Sequence, residues 1–412
     1  MKLKKLGSII LSVAMMASLG SCGVTEEGES EVQLAIDEAE TMTYDELVAK
    51  AKEEVGEDSI EVYGNSSALE AALESFTEST GIGTVNNKLG DTELYEKLTN
   101  TLANDTYVAD MVLAQDGNKL QTTMLNNNLL LNYVPLDYVD VLDADDLDPT
   151  AAVYLNKVFM YNNTNFDGSN EDTATSGVLK DYITNIWQLA GTEADEGHIS
   201  SPSFKTASQE NINMNMLAML TQDKWQQKLT DAYVSYYGEE PVIESKYENI
   251  AYKWIGEFLE NCTYHSSDGT ACKELAAGLG GSVAYVNFNK QKSLTEEGIG
   301  SYDIDNVTTP LIEEDGNVEG FGGFVYKMYT LIPENAKYPY AAAALINYIL
   351  SVDGFTNAWG TKKGYYSTNP NAPIAEGDKA LSWWKENTVI EDPEYVASAY
   401  GDVYDFVTSY ES

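Results

Sequence analysis

The chain has 412 residues, a formal charge of −42, 43% hydrophobic residues, three cysteines and two histidines. That charge disfavours partners that are themselves negative, nucleic acid and anionic lipid surfaces first, and suits a solvated acidic surface or one that draws in cations. The length exceeds what one hydrophobic core serves, so two lobes are expected.

Residues 1–21 read as a secretory signal peptide. Lys2, Lys4 and Lys5 precede the apolar run LGSIILSVAMMASL, which is shorter than the roughly 20 residues a spanning helix needs. The ending Leu19-Gly20-Ser21-Cys22 is similar to the bacterial lipobox. That resemblance implies that Cys22 becomes the first mature residue, carries lipid, and anchors the protein without spanning the membrane. Each buried methylene of such an anchor contributes about 0.8 kcal/mol. The remainder is then extracytoplasmic, held at the cell surface. Residues 22–42 are acidic and show no clear period, which reads as a flexible tether.

Ordered structure is expected from Thr43, where Thr43 and Glu46 form a capping box ahead of the helical stripe Leu47 and Ala51. A rhythm of strand, polar turn and helix follows three times. The strands are at 59–63, 82–88 and 108–114, and the helices at 68–80, 92–104 and 119–130. Such βαβ repetition predicts a parallel sheet. A strand over 157–166 leaves this lobe. A second set then runs through helix 180–190, strand 198–204, helices 209–220 and 247–262, and strand 282–288. A glycine-punctuated strand at 320–332 leads to helix 340–351, the loop TKKGYYSTNPNAPI and aromatic-rich C-terminal helices.

Four motifs in this order resemble the extracellular solute-binding proteins of ABC importers, over about residues 43–375. They are the opening helix–strand–helix that ends FTESTGI, ADMVLAQDGNKLQTTMLNNNLLLNYVP, the crossover VFMYNNTNF, and YPYAAAALINYILSVDGFTNAWGTKKGYYSTNPNA. The resemblance implies an α/β fold of the type II periplasmic-binding-protein kind. Each lobe is then a mostly parallel sheet flanked by helices, with two crossover hinge strands near Met160–Thr164 and Gly320–Gly323 and ligand in the cleft between lobes. It divides the chain into lobe 1 over 43–160, lobe 2 over 161–319, and a return to lobe 1 with C-terminal helices over 320–412. It implies a small polar solute and an ABC permease–ATPase complex as partners, and no cofactor. Glycines at 320, 322 and 323 suit a hinge or a tight packing bend equally.

Candidate ligand contacts lie where strands end. Asn65, Ser66 and Ser67 close the first strand and open a helix, which suits a carboxylate, phosphate or sugar hydroxyl, or simply a helix cap. Asp91 and Asp116 follow the next two strands. Ser201, Ser203 and Thr206 occupy the comparable turn of lobe 2. Tyr161 and Asn162 stand at the crossover, and Tyr285 and Asn287 alternate with apolar neighbours on one strand. Tyr365 and Tyr366 raise a ferric-ion alternative, since paired tyrosines ligate iron in some members of the resembled superfamily. Tyr236-Tyr237 is a rival pair, and stacking on an organic solute uses the same residues as well.

No nucleophile elbow, Walker loop, HExxH or CxxC occurs, and the reading is a binder rather than an enzyme. A surface glycosidase using two carboxylates, or a structural lipoprotein, are the other classes. The pairs Asp145-Asp146 and Glu313-Glu314 read as solvated loops. Cys262 and Cys272 bracket TYHSSDGTA and read as a disulfide worth ~2–3 kcal/mol. The alternative, a metal held by Cys262, His265 and Cys272, lacks a fourth ligand.

Overall fold

The computed structural model describes residues 30–102, 104, 106–162, 183–192, 194–195, 197–277, 283–291, 307–309, 316–360 and 362–411. The signal peptide, Cys22, the start of the tether, Thr164 and Glu313-Glu314 lie outside the described residues, as do the side chains of Asp91 and Asn162.

The described residues open with α1 (Glu31–Ala39), capped by Ser30, whose hydroxyl accepts from Gln33 N at 3.1 Å. Over Glu31–Ala39 this corrects the flexible tether read over 22–42. Val32, Ala35, Ile36 and Ala39 recur at helical spacing on one face and are buried, so an apolar stripe lies inside an acidic composition. Next come α2 (Tyr44–Val55), with the expected capping box, β1 (Ser59–Gly64) and α3 (Leu69–Thr80), stopped by Gly81 at φ 79°. They are followed by β2 (Gly83–Lys88), α4 (Asp91–Leu102) and β3 (Met111–Ala114). A short α5 (Gly117–Lys119) runs into a π-helical turn over Leu120–Leu125, and β4 (Leu130–Leu131) precedes the long β5 (Ala151–Asn162).

Lobe 2 holds β6 (Ser203–Lys205), α6 (Asn211–Leu220), α7 (Asp223–Tyr237), α8 (Ile250–Asn261), β7 (Thr263–His265), α9 (Asp268–Ala276), β8 (Val283–Asn287) and β9 (Val307–Thr308). The chain returns along β10 (Gly323–Pro333) to α10 (Pro339–Leu350), α11 (Val352–Ala358) and β11 (Tyr365–Ser367). It ends in α12 (Leu381–Asn387), β12 (Val389–Ile390) and α13 (Pro393–Thr408).

These strands form one sheet in the order β2-β1-β3-β10-β5-β8-β6-β7. In lobe 1, β1 pairs in parallel with β2 and β3; in lobe 2, β6 pairs in parallel with β7 and β8. The two crossover strands, β5 and β10, lie between these sets and pair antiparallel with each other from Gly323↔Val158 to Tyr329↔Ala151. The expected two-lobed α/β architecture with two crossover strands is therefore what forms. The tail differs from a simple return to lobe 1. Trp384 of α12 packs on Phe288, and α13 lies along α6 and α8, so the last segment completes lobe 2.

Alternation along β5 separates the cores. Leu155, Phe159 and Tyr161 enter one cluster, while Tyr154, Val158 and Met160 enter another on the opposite face. This alternation explains why the disulfide does not form. Cys262 and Cys272 are both free, Cys262 against the first cluster and Cys272 within the second, with the sheet between them. The bracketed segment is not a loop; it forms β7 and the start of α9.

Candidate functional site

Two strand ends meet on one edge of β10. There β3 pairs with Tyr329–Leu331, running antiparallel, and β12 pairs with Phe324 and Val325, running parallel. Their carboxyl ends point toward each other across Tyr326, Lys327 and Met328, beside the shift in β10–β5 register between Met328 and Tyr329. Asp116 leaves β3 at this junction and Glu391 leaves β12.

Both carboxylates are buried, Asp116 with no exposure and Glu391 with 8%. Each accepts from the same nitrogen. Asn215 Nδ2 on α6 donates to Asp116 Oδ1 at 2.9 Å and to Glu391 Oε1 at 2.8 Å. Asp116 also accepts from Lys119 N at 3.2 Å and sits at φ 69°, a conformation uncommon outside glycine. Tyr95 holds the loop by donating to the backbone oxygens of Gln115 and Asp116, at 2.6 and 3.1 Å. Burial raises the Asp116 carboxyl above its usual range. Burial, with the neighbouring Asp116 charge, pushes Glu391 up to about 8. Asp116 Oδ2, Glu391 Oε2, Asn215 Oδ1 and Asn211 Nδ2 are buried without a hydrogen-bond partner. Since Asn211 and Asn215 are one turn apart on α6, one face of that helix presents two amides to this junction.

A second polar cluster lies at the ends of the lobe 2 strands. Lys157 of β5, fully buried, donates to Asn213 Oδ1 at 2.6 Å and pairs with Asp268 at 3.2 Å. Asn287 donates to Asp268 from its backbone at 3.1 Å and its side chain at 2.9 Å, and accepts from the Tyr326 hydroxyl at 2.7 Å. Burial opposes ionisation of Asp268, but the Lys157 ammonium and the Asn287 amide hold it below the usual carboxylate range. The sequence contains no arginine, so every fixed cation is a lysine and no bidentate guanidinium is offered to an anion.

Sequence-derived candidates fall in different places. Asp116 lies between the lobes. Asn65 and Ser67 end β1 as read, but Ser66 is 8% exposed and its hydroxyl accepts from Trp359 Nε1 at 3.1 Å and from Ala68 N at 3.3 Å. Asp91 opens α4 and Asn162 closes β5. Ser201 and Ser203 precede the turn, because β6 starts only at Ser203; Ser203 meets His265 Nε2 at 3.0 Å, and Thr206 alone stands after the strand. The amides of Ala207 and Ser208 beyond it already hold the Glu411 carboxylate, at 2.6 and 3.0 Å. Tyr161 and Tyr285 are core residues, 1% and 0% exposed, with Tyr285 packed between Phe159 and Phe204. Asn287 faces the same side as Tyr285 and bonds Asp268.

Tyr365 packs against the larger core and Tyr366 inside the smaller one. The rival pair, Tyr236 and Tyr237, joins an aromatic stack with Tyr233 and Trp187. Among the described residues no group of three His, Cys, Asp or Glu side chains is placed to hold a metal. Asp146 is not solvated. It is 1% exposed, accepts from Tyr154 at 2.5 Å and pairs with Lys327 at 2.8 Å. Asn215, Glu391 and Lys157 carried no local sequence signal.

No protein-family model matches the chain, and no curated protein matches it. Solved structures do. Iron-bound HitA from Pseudomonas aeruginosa aligns at TM-score 0.63 and 15% identity, covering 86% of this chain and 99% of HitA. An ABC transporter substrate-binding protein from Bradyrhizobium japonicum aligns at 0.60 and 12%, covering 86% and 99%. The agropinic-acid-bound protein AgtB from A. tumefaciens aligns at 0.53 and 12%, covering 85% and 98%. At these identities the likeness concerns the fold, which is that of two-lobed periplasmic binding proteins.

Proposed function

We propose that this protein is a solute receptor: it captures a small polar solute between its lobes and delivers it to an ABC importer permease. The observation that carries this reading is the buried polar junction of Asp116, Asn215 and Glu391. It lies between two lobes joined by β5 and β10, with polar atoms still unpartnered. Buried polar groups without partners are rare in structural cores and common where a ligand is received. The fold is also one that serves substrate binding in an ABC transporter protein. In this reading the protein performs no chemistry on its solute.

The same reading places the protein outside the cytoplasm, held by lipid on Cys22, on the strength of the Leu19-Gly20-Ser21-Cys22 motif. Among the described residues no helix is long and apolar enough to cross a membrane. A Cys22→Ala chain is expected to leave the membrane fraction and to lose incorporation of a fatty-acid label; unchanged labelling would remove the anchor.

The ferric-ion alternative has the likeness to iron-bound HitA in its favour, but Tyr365 and Tyr366 do not face one site. The test is a thermal-shift panel of sugars, amino acids, polyamines, phosphonates and metal ions. Saturation at a hundredfold excess over Kd contributes about 2.7 kcal/mol and raises Tm by several degrees. A panel without any shift argues against a receptor, and turnover of a bound compound argues for an enzyme.

A further inference from the structure

The junction of β3 and β12 holds two buried carboxylates and, among the described residues, no lysine forms an ion pair with either. A carboxylate in that position either finds a cation or takes up a proton. Among the described residues no group of three His, Cys, Asp or Glu side chains is placed to hold a metal ion there. With neither a paired lysine nor a third ligating side chain, the positive charge that the pair takes up is a proton.

We propose that Asp116 and Glu391 form a proton-dependent latch between the lobes. One proton held by the pair, with Asn215 bridging both side chains, favours the closed arrangement, and its loss drives α6 away from α5. The bond from Asn215 to Asp116 crosses from lobe 2 to lobe 1, so it is lost when the lobes separate. Asn215 supplies a single nitrogen to two acceptors. With both carboxyls ionised, two negative charges face each other in a buried setting, balanced only by neutral donors: the two N–H bonds of Asn215, Lys119 N on Asp116 and the Gly117 amide on Glu391. With one protonated, an O–H donor is added beside the unpartnered acceptors Asp116 Oδ2 and Asn215 Oδ1.

The charged and titratable surroundings leave this balance in place. Lys119 on α5 and Lys327 on β10 favour ionisation from a distance, and Lys327 is already paired with Asp146. Glu210 opposes ionisation of Asp116 and is itself paired with Lys205. Tyr329 of β10 and Tyr400 of α13 face the pair as neutral phenols, both raised by burial.

The sign follows from linkage. Opening returns water to both carboxyls and restores ordinary pKa values, so the closed form binds more protons than the open one. Closure is therefore fully favoured below the open-state value, near 4.5, and weakens as pH rises toward the closed-state value of about 8. Across that window the open-to-closed ratio rises by up to ~10-fold per pH unit, and it levels off above.

The experiment is small-angle scattering on solute-free mature protein from pH 5 to 9.5, alongside Glu391→Gln and Asp116→Asn, with near-UV circular dichroism at pH 6 to establish native packing. Wild type is expected to expand between pH 6 and 8.5. Each isosteric variant is expected to stay compact through pH 9, because it cannot build the second charge. If one variant fails to fold, the other carries the comparison, and should neither fold, the wild-type profile decides. A wild-type radius of gyration that does not change with pH, or a variant that expands over the same range as wild type, overturns the latch. Because no solute is present, the result is independent of whether a solute is found.

Discussion

Tyr365 and Tyr366 are consecutive in β11 and lie on opposite faces of the sheet. Tyr365 packs with the core of α3 and α10, while the Tyr366 hydroxyl lies 3.0 and 3.1 Å from the Asp378 oxygens and accepts from Asn156 Nδ2 at 3.1 Å on the other side. Period-two alternation forces this separation. Ferric loading is therefore expected to give no tyrosinate–iron absorption that needs both residues; a visible band lost in both Tyr365→Phe and Tyr366→Phe would contradict the geometry. Tyr366→Phe should instead cost about 1–3 kcal/mol in chemical denaturation, because Asn156 and the partly buried Asp378 lose a partner.

Lys157 pairs with Asp268 at 3.2 Å and is the charge that most lowers its pKa, with Lys290 adding to it, so removing Lys157 leaves a buried carboxylate short of its main cation. Lys157→Met is expected to cost about 3–5 kcal/mol at pH 7, and adding Asp268→Asn should recover part of that loss. The pH dependence has a definite sign. In wild type the folded pKa of Asp268 is depressed, so its contribution is present above the unfolded value near 3.8 and is lost as pH falls through the folded value. In Lys157→Met the carboxyl loses its largest lowering influence and its pKa rises relative to wild type, so the gap between variant and wild type should narrow toward pH 4. Urea midpoints at pH 4 and 7 check this, and a gap that widens in acid would contradict it.

Ser66 illustrates how a plausible ligand residue is taken up by structure. Its hydroxyl is the acceptor for Trp359 Nε1, and Trp359 is fully buried. Ser66→Ala should lower stability by about 1–2 kcal/mol, since an indole N–H is left without its acceptor. Once a solute is identified, its Kd should stay within about twofold of wild type. A large affinity loss at unchanged Tm would show that the hydroxyl is a ligand contact after all.

Glu411 fills the anion-friendly turn of lobe 2. Its carboxylate takes the amides of Ala207 and Ser208, a bidentate arrangement at the start of a helical turn. Glu411→Ala should cost about 1–2 kcal/mol by thermal melt, and Glu411→Gln less, because the amide oxygen still accepts one bond. Equal melting of all three proteins would mean that the contact contributes nothing.

Much of the fold was legible because its signals are local. The alternation of SIEVY, the Gly81 stop and the Thr43–Glu46 box each sit within a few residues, and each forms as read. Errors arose where a local signal stood for something non-local. The acidic run around Glu31–Ala39 reads as a tether until its four apolar residues find α10 to pack on. Two cysteines ten positions apart read as a bridge until a sheet comes between them. The site was least legible: Asn215 reaches Asp116 across 99 positions and Glu391 across 176, so no spacing in the sequence marks the cluster. Of the three residues only Asp116 is singled out by the sequence, because the end of a strand is a local feature.

The final crossing into lobe 2 also governs when the protein becomes whole. Val396, Val403 and Val407 of α13 lie in the same apolar cluster as α6 and α8, while α2 of lobe 1 packs on α10, some three hundred positions later. Neither lobe is a contiguous stretch of chain. A polypeptide emerging amino end first cannot bury the first lobe until residue 350 is available, nor the second until α13 follows. Assembly is thus deferred to the last stage of synthesis, and a chain cut short by twenty residues would leave lobe 2 with an uncovered apolar flank, a natural target for proteases.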